Sequence, residues 1–183
     1  MSRMALAQIT WQDAQQLPDD GRRYEAIGGK LFVTAAPSFR HTRIAHLLAV
    51  ALDRLLEQPG HGIVSQAPGV EFPATREGVQ PDLVFLSRAR RGIVAKEGLR
   101  GAPDLVIEIL SPSTAERDRG VKLDLYERQG VAEYWIVDPE EEAVDVWRFE
   151  GGRAFERYTD RLPVRLGGES VGEVDLEEVF GHV

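Results

Sequence analysis

The chain is expected to fold as one α/β domain, a mixed β-sheet flanked by helices with antiparallel hairpins at its margins. Three observations predict this. Residues 83–86, 105–110 and 134–137 are apolar runs of strand length, suited to a sheet centre. Two stretches, 41–57 and 113–129, carry helical signals. Glycine pairs punctuate short strand-like segments near both ends of the chain. With 183 residues, a single domain over 1–183 has room for one sizeable core.

Taken in order, residues 11–17 form a short helix stopped by Pro18. Residues 23–27 and 30–34 flank Gly28-Gly29, a pair that tolerates the positive φ of a tight hairpin turn. In 41–57 the residues Ile44, Leu48, Ala51 and Leu55 recur at helical spacing, Leu47 and Leu52 widen the stripe, and Pro59-Gly60 ends it. Residues 63–66 and 70–72 read as short strands. Ser113 followed by Glu116 has the spacing of a capping box, opening a helix that runs to about Gln129 and stops at Gly130. A second hairpin joins 144–149 to 154–158, and the tail 171–183 adds a strand and a helical turn at 176–180.

Composition excludes several chemistries. The absence of cysteine rules out disulfides, thiolate zinc sites and cysteine nucleophiles, and fits a reducing cytoplasm. No apolar run reaches the ~20 residues of a membrane span, and residues 1–16 lack the basic start and apolar block of a signal peptide. The net charge of −8 argues against a general nucleic-acid coating protein, whose affinity rests on many phosphate contacts. It leaves room for a nuclease, because a bound divalent cation reverses the charge of its own site.

Two acids stand out because a carboxylate inside a buried strand is costly unless compensated. Glu108 lies within Val106-Ile107-Glu108-Ile109-Leu110, and Asp82 opens Asp82-Leu83-Val84-Phe85-Leu86. On neighbouring strands they would meet at one point of the sheet, and convergent oxygens suit Mg²⁺ or Mn²⁺. The alternatives are a turn cap after Pro81 for Asp82, and a buried arginine partner for Glu108. Asp104 is a second acid after a proline, but it shares a strand with Glu108 at ~13 Å, too far for a common metal.

These residues resemble a known pattern. Pro81-Asp82, Glu108-Ile109-Leu110 and Lys122 in Gly120-Val121-Lys122-Leu123-Asp124-Leu125-Tyr126 look like the site of the PD-(D/E)XK nuclease superfamily. The wider text is most similar to the Uma family of restriction-endonuclease-like proteins. It includes Tyr24-Glu25, His41, Gln80-Pro81-Asp82-Leu83, the block from Ala102 to Thr114, and Glu133-Tyr134-Trp135-Ile136-Val137-Asp138-Pro139, spanning about 10–158. The resemblance implies a restriction-endonuclease-like fold and metal-dependent cleavage of DNA, with Asp82, Glu108 and the Ile109 carbonyl holding Mg²⁺ (or Mn²⁺). Leu110 occupies the superfamily's usual lysine position, so the resemblance moves that role to Lys122 on the following helix. The other reading of Lys122 is a solvated helical pair with Asp118, four residues earlier.

Further members are expected around this core. Glu25 supplies another carboxylate or orients a water, and His41 points inward to bind phosphate or shuttle a proton, unless it is an ordinary structural histidine. Gln80 and Arg88 are candidate substrate contacts. Arg88 begins a basic stretch with Arg90, Arg91, Lys96 and Arg100 that is expected beside the site, or as a solvated loop. Exposed strand edges invite pairing into a homodimer. The rival functions are a catalytically inactive nuclease-fold module that binds nucleic acid or a protein partner, and a hydrolase of small phosphodiesters.

Overall fold

A computed structural model of the chain describes residues 8–181. Residues 1–7, where a leader would begin, and 182–183, the end of the expected tail, lie outside the described residues. Helix α1 (Trp11–Ala14) is set by a reciprocal cap, in which the Thr10 hydroxyl accepts from the Asp13 amide while the Asp13 carboxylate accepts from the Thr10 amide at 2.8 Å. Strands β1 (Arg23–Ile27) and β2 (Lys30–Thr34) form the expected hairpin, turning at Gly28 and Gly29 with φ of 58° and 75°.

Ser38 caps α2 (Phe39–Leu52), which ends in a π-helical turn, Asp53–Glu57. Strands β3 (Gly62–Gln66), β4 (Val70–Phe72), β5 (Glu77–Val79) and β6 (Leu83–Ser87) follow. A 3-10 turn, Arg88–Ile93, leads into β7 (Val94–Ala95), β8 (Gly98–Arg100) and β9 (Leu105–Ile109). Helix α3 (Ala115–Arg117) passes through a π-helical turn, Asp118–Lys122, into α4 (Leu123–Gln129), which Gly130 ends at φ 83°. The chain closes with β10 (Glu133–Asp138), β11 (Ala143–Arg148), β12 (Ala154–Tyr158), β13 (Arg161–Leu166), β14 (Glu169–Asp175) and α5 (Leu176–Phe180).

The single sheet expected from sequence is divided. A central sheet has the order β12-β11-β10-β9-β6-β3, a second has β2-β1-β5-β4-β8-β7, and β13 pairs with β14 alone. Within the central sheet only β9 and β10 run parallel, joined by the α3–α4 crossover. Its two faces are covered differently. Ile107, Ile109, Trp135 and Val137 pack against α2 and α5, whereas Val84, Val106, Tyr134 and Ile136 pack with Leu125 and Tyr126 of α4 and with Val70 and Val79 of the second sheet.

The capping box expected at Ser113 does not form. The helix starts one residue later, at a Thr114 cap position without a side-chain cap bond, because residues 112–114 are a turn in which the Thr114 hydroxyl accepts from the Ser111 amide at 3.2 Å. Val121 is 41% exposed, since the π-helical turn inserts a residue and shifts the helical phase.

The strand pair that brings Asp82 into place is packed closely at Gly62. A Cβ there would stand 1.9 Å from the Leu86 carbonyl oxygen and 2.6 Å from the Phe85 ring. Gly62→Ala should therefore destabilise the protein by about 1–3 kcal/mol. Gly92→Ala, whose Cβ meets nothing within 4 Å, should stay within about 0.5 kcal/mol. Urea denaturation of both variants checks the contrast.

Candidate active site

Side-chain alternation places the acids. Along β9, Leu105, Ile107 and Ile109 face α2, so Glu108 faces α4 together with Val106 and Leu110. In the antiparallel register between β6 and β9, Leu83 lies opposite Ile107 and Val84 opposite Val106. One step further along that register sets Asp82 against Glu108, on the same face as Val84. Both acids line one cleft of about 260 Å³, with Glu25 from β1, His41 and Arg40 from α2, and Arg117, Asp118 and Lys122 from the crossover.

Glu108 is 3% exposed, and its Oε1 accepts from Lys122 Nζ at 2.7 Å and from the Tyr126 hydroxyl at 2.6 Å. Lys122 is itself 2% exposed, and its Nζ also lies 2.9 Å from Glu25 Oε1 and 3.8 Å from Asp118 Oδ1. The solvated pair with Asp118 is thereby overturned, because Asp118 and Lys122 are both buried in the cleft wall. Leu110 on the strand leaves this face without a cation, and Lys122 reaches it from the helix.

Asp82 is held from three sides. Its Oδ2 accepts from the Ile109 amide at 2.8 Å, its Oδ1 pairs with Arg23, and His41 Nε2 stands 2.9 Å from Oδ1. The His41 contact is close in distance, but Nε2 forms no aligned hydrogen bond with any described residue. Burial alone would raise the Asp82 pKa, but His41, Arg23 and the Ile109 amide outweigh it and hold the carboxyl at about 2. Asp82 is therefore ionised at neutral pH.

The pKa values of Glu108 and Lys122 are both raised. Burial, Asp118, Asp82 and Glu25 push Glu108 up to about 8 against the pull of Lys122. For Lys122 burial works downward, but Glu108, Glu25 and Asp118 together raise it. Both directions follow from a cleft crowded with carboxylates.

The cleft also concentrates buried polar atoms that make no hydrogen bond. Among the described residues, seven buried side-chain polar atoms lack a hydrogen bond, and five belong to residues lining this cleft: Glu25, Arg40, His41, Arg117 and Asp118. Such atoms are rare in native interiors; here His41 Nε2 faces Asp82 Oδ1 at 2.9 Å and Asp118 Oδ1 faces Lys122 Nζ at 3.8 Å. No three His, Asp or Glu side chains among the described residues converge as a ready metal cage. Mg²⁺ is commonly held by one or two carboxylates and keeps several waters. The oxygen donors of Asp82 and Glu108, on adjacent strands and one face, fit it.

Two sequence expectations do not reach the site as stated. Arg88 does not line the cleft, because it follows the far end of β6 while Asp82 precedes the near end. Two members of the basic stretch are engaged elsewhere: Arg90 donates to the Ala102, Pro103 and Gly130 carbonyls, and Arg100 pairs with Glu71. Gln80 lines the cleft, but its side-chain amide donates to the Ala67 carbonyl at 3.2 Å, while its backbone amide donates to Glu25 at 2.9 Å. The residues sequence reasoning missed are Arg23, Arg117 and Tyr126. Arg23 shares a strand face with Glu25 and Tyr126 lies four residues after Lys122, so simple periodicity could have found both. Arg117 carried no comparable signal.

The model of the Uma2 family, described as "Putative restriction endonuclease", matches residues 11–177, beyond the 10–158 core expected from sequence. No curated protein matches the chain. Among solved structures, a protein from Anabaena variabilis, described as "a putative nuclease belonging to DUF820", superposes with a TM-score of 0.76 at 19% identity, over 94% of this chain and 98% of that one. At that identity the likeness is one of fold, and it agrees with the sheet and crossover arrangement described above. Since the family match runs from the first residue of α1 into α5, the chain belongs to the Uma2 family of restriction-endonuclease-like proteins.

Proposed function

We propose that the protein is a metal-dependent endonuclease that hydrolyses phosphodiester bonds in DNA. The observation that carries this reading is the buried Lys122 ammonium on Glu108, arriving from the helix onto the face that Asp82 shares. Asp82 and Glu108 would hold Mg²⁺ or Mn²⁺, with the Ile109 carbonyl as a further ligand by family resemblance. A divalent cation bound there supplies Lewis-acid polarisation of the phosphate and a lower pKa for the attacking water.

The chain's own residues do the rest. Lys122 places a fixed positive charge beside the reacting phosphate, and phosphoryl chemistry depends largely on such preorganised charge. Tyr126 and Lys122 together fix Oε1 of Glu108, and the carboxylate so held would help bind a cation. Glu25 steadies Lys122, and His41 with Arg23 steadies Asp82. A homodimer through an exposed sheet edge such as β12, where Phe155 is 49% exposed, belongs to the same proposal.

Lys122→Met keeps the apolar stem and removes the charge. On single-stranded, duplex and branched DNA with Mg²⁺, its turnover should fall about 10²–10³-fold while thermal melting shows a folded protein. A folded variant that cleaves at the wild-type rate returns Lys122 to a structural role. Metal binding offers a second check, because the carboxylate-rich cleft raises the Glu108 pKa and a cation bound beside it would lower it again, releasing protons. Calorimetric titration with Mg²⁺ at pH 7, in two buffers of different ionisation enthalpy, should show proton release from the wild type and markedly less from Glu108→Gln. Equal release from both would place the metal elsewhere.

A further inference from the structure

Helix α2 differs in charge from the chain around it. The protein has 30 acidic residues and a net charge of −8, yet the 14 residues of α2 include Arg40, Arg43, His41 and His46 and no aspartate or glutamate. Its buried stripe is Ile44, Leu48 and Leu52. The opposite face carries exposed Phe39, half-buried Arg43 and exposed His46, spaced by four and three residues and so aligned on one side of the helix. Phe39 is 82% exposed, far more than any other large hydrophobic residue among those described. Arg43 has no ion-pair partner among the described residues, whereas Arg40, nearer the cleft, is engaged by Glu140 and the Pro139 carbonyl.

The N-terminal end of this helix meets the cleft: Ser38 and Arg40, on either side of Phe39 in the chain, line it, and His41, on the inward side, reaches Asp82. An exposed aromatic ring one turn from a cation without an ion-pair partner, at the mouth of a carboxylate site, has the chemistry that binds an unpaired nucleic-acid strand: a base stacks on the ring and a phosphate meets the cation. A duplex keeps its bases stacked on one another and offers little to a solvent-facing phenyl ring. The basic stretch 88–100 cannot serve the cleft in this way, since it follows the far end of β6.

We propose that the exposed face of α2 is a track for unpaired DNA, with a base stacked on Phe39 and backbone phosphate at Arg43, delivering the strand to the cleft. The proposal deepens the endonuclease reading and rests on it for the cleft's role; it names single-stranded DNA as the preferred substrate class.

The test measures binding apart from cleavage. The full chain is titrated in Ca²⁺ against a fluorescently labelled oligothymidine and against a blunt duplex, read by fluorescence anisotropy. Phe39→Ala should weaken oligothymidine binding about tenfold or more and leave duplex binding unchanged. Arg43→Gln should reduce the salt slope of oligothymidine binding by about 0.7, one phosphate contact on a single strand. In Phe39→Trp the indole fluorescence should be quenched as oligothymidine binds. Wild-type affinity in Phe39→Ala, or equal losses for both DNA forms, would overturn the proposal. So would a Phe39→Ala variant whose only change is a halved mass by light scattering, which would assign Phe39 to a contact between copies. If Mg²⁺ supports cleavage while Phe39→Ala binds normally, the endonuclease reading stands and the α2 track falls. Should Phe39 control oligothymidine binding in a protein that never cleaves, the track stands and the endonuclease reading falls.

Discussion

Lys122 carries an ammonium into the wall of the cleft at 2% exposure, and that charge must be met by partners. A buried ion costs several kcal/mol to desolvate, repaid only by close pairing and further hydrogen bonds. Three elements answer the demand. Glu108 comes from the central sheet, Glu25 from the second sheet, and Asp118 from the same π-helical turn as the lysine. The charge therefore fastens two sheets and a crossover helix together at one point. It also explains the position of Tyr126, whose hydroxyl shares Oε1 of Glu108 and whose ring packs 4.8 Å from Tyr134.

The partners come together because of β topology. A parallel pair needs a crossover, and the crossover between β9 and β10 lies over the face that carries Glu108. The π-helical turn gives that crossover an extra residue, turning Val121 outward while Asp118 and Lys122 both stay inside. Arg119, in the same turn, pairs outward with Asp138 and Asp145 at 2.7 Å and tethers it to β10 and β11. The departure from regular helix thus sits where Lys122 is delivered to the cleft, and the ion pairs on its outer side hold it there.

Much of this was legible in the sequence. Long apolar runs marked β6, β9 and β10, and an acid inside such a run marked Glu108. The glycine pair marked the first hairpin. What escaped had physical reasons. Strands β5, β7 and β8 have three, two and three residues, too short to show a period. The helix start was misplaced because Ser113 and Glu116 carry the capping spacing while Pro112 and the Ser111–Thr114 bond build a turn instead. The placement of Arg88 failed because sequence proximity to two strands does not say which end of them a loop joins. Here the antiparallel register puts Asp82 and Glu108 at one end of the strand pair and the basic stretch at the other. Lys122 was found through family resemblance; its own sequence context, a lysine four residues after an aspartate, looked like an exposed helical pair.

The central claim is that Asp82 and Glu108 form one metal-binding point beside His41. Proton NMR of the histidine rings during titration with Mn²⁺ tests it most directly, since the paramagnetic ion broadens signals only nearby. His41 Nε2 is 2.9 Å from Asp82 Oδ1, so among the chain's four histidines its signal should broaden first, at low Mn²⁺, and Asp82→Asn should abolish the effect. A His41 signal that stays sharp while others broaden, or that broadens equally in Asp82→Asn, would contradict the account.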